Sequence, residues 1–166
     1  MATSKLIDPA DLPTYTFGWG VIKPLVSQDN VDSEPSVSLM HVVLLPGQGH
    51  ERHNHPDADE ILYVLAGAGD QMVDDGEPFA VRPGQTIWIP QGQFHSTVNT
   101  GWEPMVLLAI YAPAGAEQVL KTLPDYVEVP AGDAPPRRHR RRKGFARRRA
   151  RPVTDAQRSR RSMRNG

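Results

Sequence analysis

The chain has no cysteine among its 166 residues, which excludes a disulfide-stapled scaffold, a cysteine nucleophile and a thiolate metal site. No serine sits in a G-x-S-x-G elbow, so the usual covalent routes have no visible candidate. Apolar residues make up 39%, and no uninterrupted apolar run approaches the ~20 residues that a spanning helix needs, which argues against an integral membrane protein. The start carries a single lysine before Gly20 and no apolar stretch behind a basic segment, so we read the chain as cytoplasmic. Basic residues are also scarce before Arg137, where they are limited to Lys5, Lys23, Arg52, Arg82 and Lys121.

The formal net charge of zero is therefore an average over two unlike segments. The first 136 residues set five basic side chains against eighteen acids, a net of −13, and the last thirty carry +13. At ~100 to 200 residues per domain, the length fits one acidic domain with an arginine-rich appendage. The appendage, residues 131–166, has few apolar side chains larger than alanine and is expected to be disordered. Its charge suits phosphate contacts, but Phe145 is its one aromatic residue able to stack a base. A solvated tail lying back on the acidic body, or one with no selected role, is the favoured reading over nucleic-acid binding.

Before the tail the sequence reads as strands. Positions 36–45 alternate with period two and end at Pro46-Gly47. Comparable runs follow at 60–66, 71–73, 78–81, 86–89, 94–99 and 105–112, separated by Gly, Pro and Asp-Gly turns. Residues 19–26 offer a first strand, 114–122 a short helix, and 1–18 a proline-punctuated irregular arm. Many short strands with turns every ~8 to 12 residues indicate an all-β antiparallel sandwich or barrel over 19–130.

Histidines are concentrated. His41, His50, His53 and His55 lie within fifteen residues, and His95 follows forty residues later. On a strand, i and i+2 share a face, so His53 and His55 present two imidazoles side by side. A lone H-x-H is common on exposed strands, but the surrounding spacing is more specific. Gly47, five residues, His53, one residue, His55, four residues, Glu60, six residues and Gly67 form one pattern. Gly84, five residues, Pro90, one residue, Gly92, two residues, His95, three residues and Asn99 form a second, sixteen residues on. From average residue usage, each pattern arises by chance at roughly one start in a million or fewer, so finding both in order is a strong signal.

These two patterns match the paired motifs of the cupin superfamily, and the chain resembles its small single-domain members, with the resemblance centred on 36–112. The resemblance implies a double-stranded β-helix, or jelly roll, and His53, His55, Glu60 and His95 as ligands of one divalent metal per chain. It also implies pairing of sheets between copies, so a homodimer is expected, with the arm available to reach a neighbour. A nitrogen and oxygen ligand set favours iron, manganese or nickel over structural zinc and leaves positions open for a chelating small molecule. Strand parity places Leu62 and Val64 with Glu60, and Thr97 and Asn99 with His95. Met72 and Trp88 are further candidate lining residues. For proton transfer the candidates are Glu51, His50 and Tyr63. Two functional classes follow: an enzyme converting a small oxygen-rich molecule by dioxygenase, decarboxylase or isomerase/lyase chemistry, or a non-catalytic binding or sensing cupin. The complete ligand set favours the enzyme.

Overall fold

The computed structural model describes residues 5–135. The expectations for the arginine-rich tail from Arg137 onward lie outside those residues. Among the described residues, β1 (Thr14–Thr16), β2 (Gly20–Val26), β3 (Ser38–Leu44), β4 (Asp59–Ala66) and β5 (Gly69–Val73) come first. They are followed by β6 (Phe79–Val81), β7 (Thr86–Ile89), β8 (His95–Asn99), β9 (Met105–Ala112) and β10 (Val127–Val129). The larger sheet has the order β10-β1-β2-β3-β9-β4-β7 and the smaller β6-β5-β8, with antiparallel pairing throughout. This is the all-β antiparallel architecture that the turn spacing predicts, in the jelly-roll form that the resemblance implies. None of the described helices is long and apolar enough to cross a membrane.

Period-two burial builds the core. In β3, Ser38, Met40, Val42 and Leu44 are buried while Leu39, His41 and Val43 face outward. Their inward counterparts on β9 are Met105, Leu107, Ala109 and Tyr111, and on β4 Leu62 and Val64. The tight turn between β4 and β5 requires Gly67, which has φ +80°. A Cβ there would stand 2.7 Å from the Met105 Cα and 2.8 Å from the Pro104 carbonyl oxygen.

Two expectations for the ends of the domain change. The arm is not irregular throughout, because Thr14–Thr16 forms β1 between β2 and β10, pairing Tyr15 with Ile22 and with Glu128. Tyr15 and Phe17 are buried in the core at 3% and 1% exposure, and that burial fixes a segment too short to show period two. The predicted short helix is a 3₁₀ segment, Ala116–Thr122.

The outer face of the larger sheet is also apolar. Trp88 pairs with Ile61, Ile61 with Ile110, and Tyr63 with Leu108. That second apolar face is why side-chain type alone does not reveal which way a strand residue points.

Candidate metal centre

The two motifs meet through the backbone. His53 and His95 form an antiparallel bridge, with the His53 amide donating to the His95 carbonyl at 3.0 Å and the reverse bond at 2.8 Å. The Gly92 amide donates to the His55 carbonyl at 2.9 Å, the Asn54 side chain donates to the Gly92 carbonyl at 3.1 Å, and Gln91 reaches the Pro56 carbonyl at 2.6 Å. Gly92 makes this turn at φ +79°, a conformation that glycine adopts without strain. Glu60 is the second residue of β4 and pairs with Ile89 and Tyr111, which brings its carboxylate under the histidines.

One donor atom from each of His53, His55, Glu60 and His95 lies within 4.8 Å of the others. A shell of donors at ~2.1 Å from one ion spans at most ~4.2 Å, so small side-chain rotations close the set around an ion. Glu60 Oε2 is 2.7 Å from His95 Nε2 and 3.6 Å from His55 Nε2. All three atoms are buried and lack a partner in hydrogen-bond geometry. Buried polar atoms are seldom left so, and three converging on one point fit a cation between them. The other ring nitrogens are committed. His53 Nδ1 lies 2.7 Å from the Glu51 carbonyl and His95 Nδ1 lies 3.0 Å from the Gln93 carbonyl. Donation from Nδ1–H to these oxygens selects the tautomer that leaves the Nε2 lone pair facing the centre.

The electrostatics agree with a cation site. Burial alone would raise the Glu60 carboxyl, but its contacts with His55 and His95 outweigh that and hold it well below the ordinary carboxylate range. Burial lowers the His53 imidazole. In His95 the burial effect is overcome by Glu60, and the net shift is upward. Burial, reinforced by the Glu60 charge, pushes the Tyr111 hydroxyl well above its usual value and keeps it protonated.

A cavity of about 560 Å³ opens on His53 and His55. Its composition differs from the sequence expectation, since Leu62, Val64, Met72, Trp88, Thr97 and Asn99 do not line it. Leu62 and Val64 face inward but belong to the core. Thr97 donates to the buried Gln71 side chain at 2.6 Å. The Asn99 side chain donates to the Leu44 and Glu103 carbonyls and accepts from the Gly101 amide, so it clips a turn in place. Met72 is displaced by parity: Val73 pairs with His95 and Gln71 with Thr97, which turns Gln71 and Val73 inward and Met72 out. Trp88 is 64% exposed on the outer face, and Tyr63, at 38%, shares that face and is remote from the centre.

Glu51 is an exposed rim residue whose backbone carbonyl, rather than its carboxylate, touches a ligand ring. His50 does line the cavity, its ring set edge-on to Trp19 at 4.1 Å and 5.6 Å from His53. Its Nε2 is buried without a partner, and burial, then the His53 charge, hold it down to about 3. The residues that sequence reasoning did not single out are Trp19 and the wall around Leu120 and Leu123. Tyr111 has the inward parity of Leu107 and Ala109 and packs on His55 at 4.8 Å. The Leu120 to Leu123 spacing of one 3₁₀ turn was a usable signal.

The described strands thus form an antiparallel jelly roll that carries convergent histidines and a glutamate able to hold a metal ion. The family model described as Cupin domain matches residues 40–111, and the chain belongs to the cupin family. Glucose-6-phosphate isomerase of Thermococcus gammatolerans is 35% identical over 108 residues, 58% of this chain and 57% of that protein. An uncharacterized protein of Methanocaldococcus jannaschii is 31% identical over 102 residues, 55% of this chain and 81% of that one. The fold matches a predicted oxalate decarboxylase from Thermotoga maritima with TM-score 0.57 and 21% identity, covering 66% of this chain and 99% of that one. The chain thus spans 57% of the length of the isomerase it matches.

Proposed function

We propose that the protein is a metal-dependent enzyme acting on a small oxygen-rich molecule at a mononuclear three-histidine, one-glutamate centre. The observation that carries this reading is the convergence of four donors beside an open cavity, with three buried donor atoms facing one another and lacking a partner in hydrogen-bond geometry. A set of nitrogen and oxygen donors without thiolate favours iron(II), manganese or nickel, which His53, His55, Glu60 and His95 would hold. A bound ion would supply Lewis-acid or redox chemistry toward a chelating substrate. The protein's own groups hold the site ready: carbonyls of Glu51 and Gln93 fix two imidazoles, and Glu60 stays ionised. Tyr111 stays protonated as a hydrogen-bond donor, and neutral His50 offers its ring to the cavity.

Decarboxylation, enol-type isomerisation or elimination, and dioxygenation are the reaction types this centre suits. The isomerase relative and the likeness to a predicted oxalate decarboxylase support the first two. The test is metal analysis followed by turnover of apo protein and of protein reloaded with iron(II), manganese, nickel or zinc. Substrates to screen are α-keto acids, β-diketones, catechols and unsaturated sugar acids, with oxygen uptake recorded. Turnover that requires the metal supports the proposal, and turnover that survives its complete removal refutes it.

A further inference from the structure

The lining of the cavity beside the centre is of two kinds. It includes His53, His55 and Tyr111, and also the aliphatic side chains of Ala116, Val119, Leu120, Leu123 and Pro124. Trp19 also lines the cavity, and its ring is fixed by stacking on Phe17 at 4.4 Å with 5° between planes and by the edge contact with His50. A volume of about 560 Å³ falls within the ~300 to 1,000 Å³ typical of pockets that enclose an organic ligand with a body as well as a polar head. It is more space than a two-carbon dianion fills.

The charges lining this space are wrong for phosphate. Among the described residues, Glu51 and Asp125 are there, against the single cation Arg52. Arg52 is already engaged, bonded to Asp75 at 3.1 Å with its guanidinium 4.3 Å from the Phe94 ring centroid. The N-terminal end of the 3₁₀ segment offers an anion no free amide at Gly115, because the Glu117 carboxylate accepts from that N–H at 2.9 Å. A phosphate dianion is normally held by arginine, lysine or free backbone amides, and here it meets carboxylates instead.

Resting on the metal-enzyme reading above, we propose that the ligand of this centre is a bidentate oxygen chelate of low charge attached to an apolar or aromatic body. The body packs between Trp19 and the Val119, Leu120 and Leu123 wall, and phosphorylated sugars are disfavoured. The buried Nε2 of His50 is left over as a hydrogen-bonding atom for the same molecule.

The test uses the full chain loaded with cobalt(II), whose visible bands report ligands entering the shell. Acetohydroxamate and benzohydroxamate share one chelating head and differ in the body, and glucose 6-phosphate serves as the phosphorylated competitor. We expect both hydroxamates to perturb the cobalt bands, with benzohydroxamate bound at least tenfold tighter. Tenfold is about 1.4 kcal/mol, which burial of about 55 Å² of ring surface supplies at ~25 cal/mol per Å². Glucose 6-phosphate should not displace it at millimolar concentration. Val119→Glu, on the exposed rim of the wall, and Leu123→Ser should each shrink the advantage of the phenyl body to within about threefold while leaving cobalt content and acetohydroxamate affinity unchanged. Equal affinity for the two hydroxamates, an advantage that survives both substitutions, or tight glucose 6-phosphate binding would overturn the inference while leaving the metal centre standing. Cobalt bound one per chain with no response to either hydroxamate would refute the open-position reading and this inference with it.

Discussion

Replacing Asn99 separates a residue that shapes the pocket from one that holds the fold. Its side chain is fully buried and makes three bonds, donating to the Leu44 carbonyl at 3.0 Å and the Glu103 carbonyl at 2.8 Å and accepting from the Gly101 amide at 2.9 Å. These bonds tie the β8–β9 turn to the end of β3. Asn99→Ala removes all three and strands two carbonyls and an amide. At ~1 kcal/mol net per hydrogen bond, and more for a group left buried and unpaired, the loss is about 3 to 4 kcal/mol. For a domain of this size that lowers Tm by about 10 °C or more. Asn99→Asp should cost at least as much, because a carboxylate still accepts from Gly101 but faces two carbonyl oxygens it cannot donate to. Thermal melts by circular dichroism, with metal content measured alongside, read the result. We expect a large drop in Tm with one metal still bound per chain. A drop under about 3 °C, accompanied by selective loss of small-molecule affinity, would falsify the structural role and return Asn99 to the pocket.

The double variant His53→Ala/His95→Ala removes two of the four donors, so metal content by plasma mass spectrometry should fall from about one per chain to near zero, and undiminished content refutes the assignment. Ending the chain after Pro136 should leave Tm and metal content unchanged, because every described strand and all four donors precede it; a truncated protein that unfolds or loses metal contradicts this. The outer face bearing Trp88, Tyr63 and Leu65, exposed at 64%, 38% and 42%, is apolar enough to be covered by a second copy of the chain. Light scattering should therefore give a dimer at micromolar concentration and a monomer for Trp88→Glu/Tyr63→Glu, and a monomeric wild type overturns that expectation.

The convergence of the four candidate donors was legible in the sequence because coordination chemistry dictates both residue type and spacing. His53 and His55 must share a face, Glu60 must open the next strand, and Gly92 must turn the chain so that His95 arrives opposite His53. Strand boundaries were legible for a similar reason, since glycine and proline turns punctuate period-two runs. Trp88 went wrong because apolar character does not specify a face when the outer surface of the larger sheet is apolar as well, and Met72 because its strand turns the polar Gln71 inward instead. Cross-strand partners do specify it, and those became visible only with the register: Trp88 opposite Ile61, Gln71 opposite Thr97.

The pocket was illegible for a geometric reason. Parity reports the face of a sheet on which a residue lies and says nothing of its height along the barrel. Leu62 and Val64 share the face of Glu60, and Thr97 and Asn99 share that of His95, so the inward assignment was sound. At ~3.3 Å per residue, however, they lie roughly 7 and 13 Å farther along their strands, and those steps lead from the four-donor centre into the core. The cavity opens in the other direction, toward loop 48–54 and the 3₁₀ segment Ala116–Thr122, where no period-two pattern exists to be read. The candidate donors are therefore set by motif, while the wall of the cavity is assembled from segments that approach the centre only in the folded chain. Substitutions in that wall, at Val119 or Leu123, should change which molecule binds without changing the metal, whereas substitutions along the strands beyond Glu60 or His95 should change stability before they change specificity.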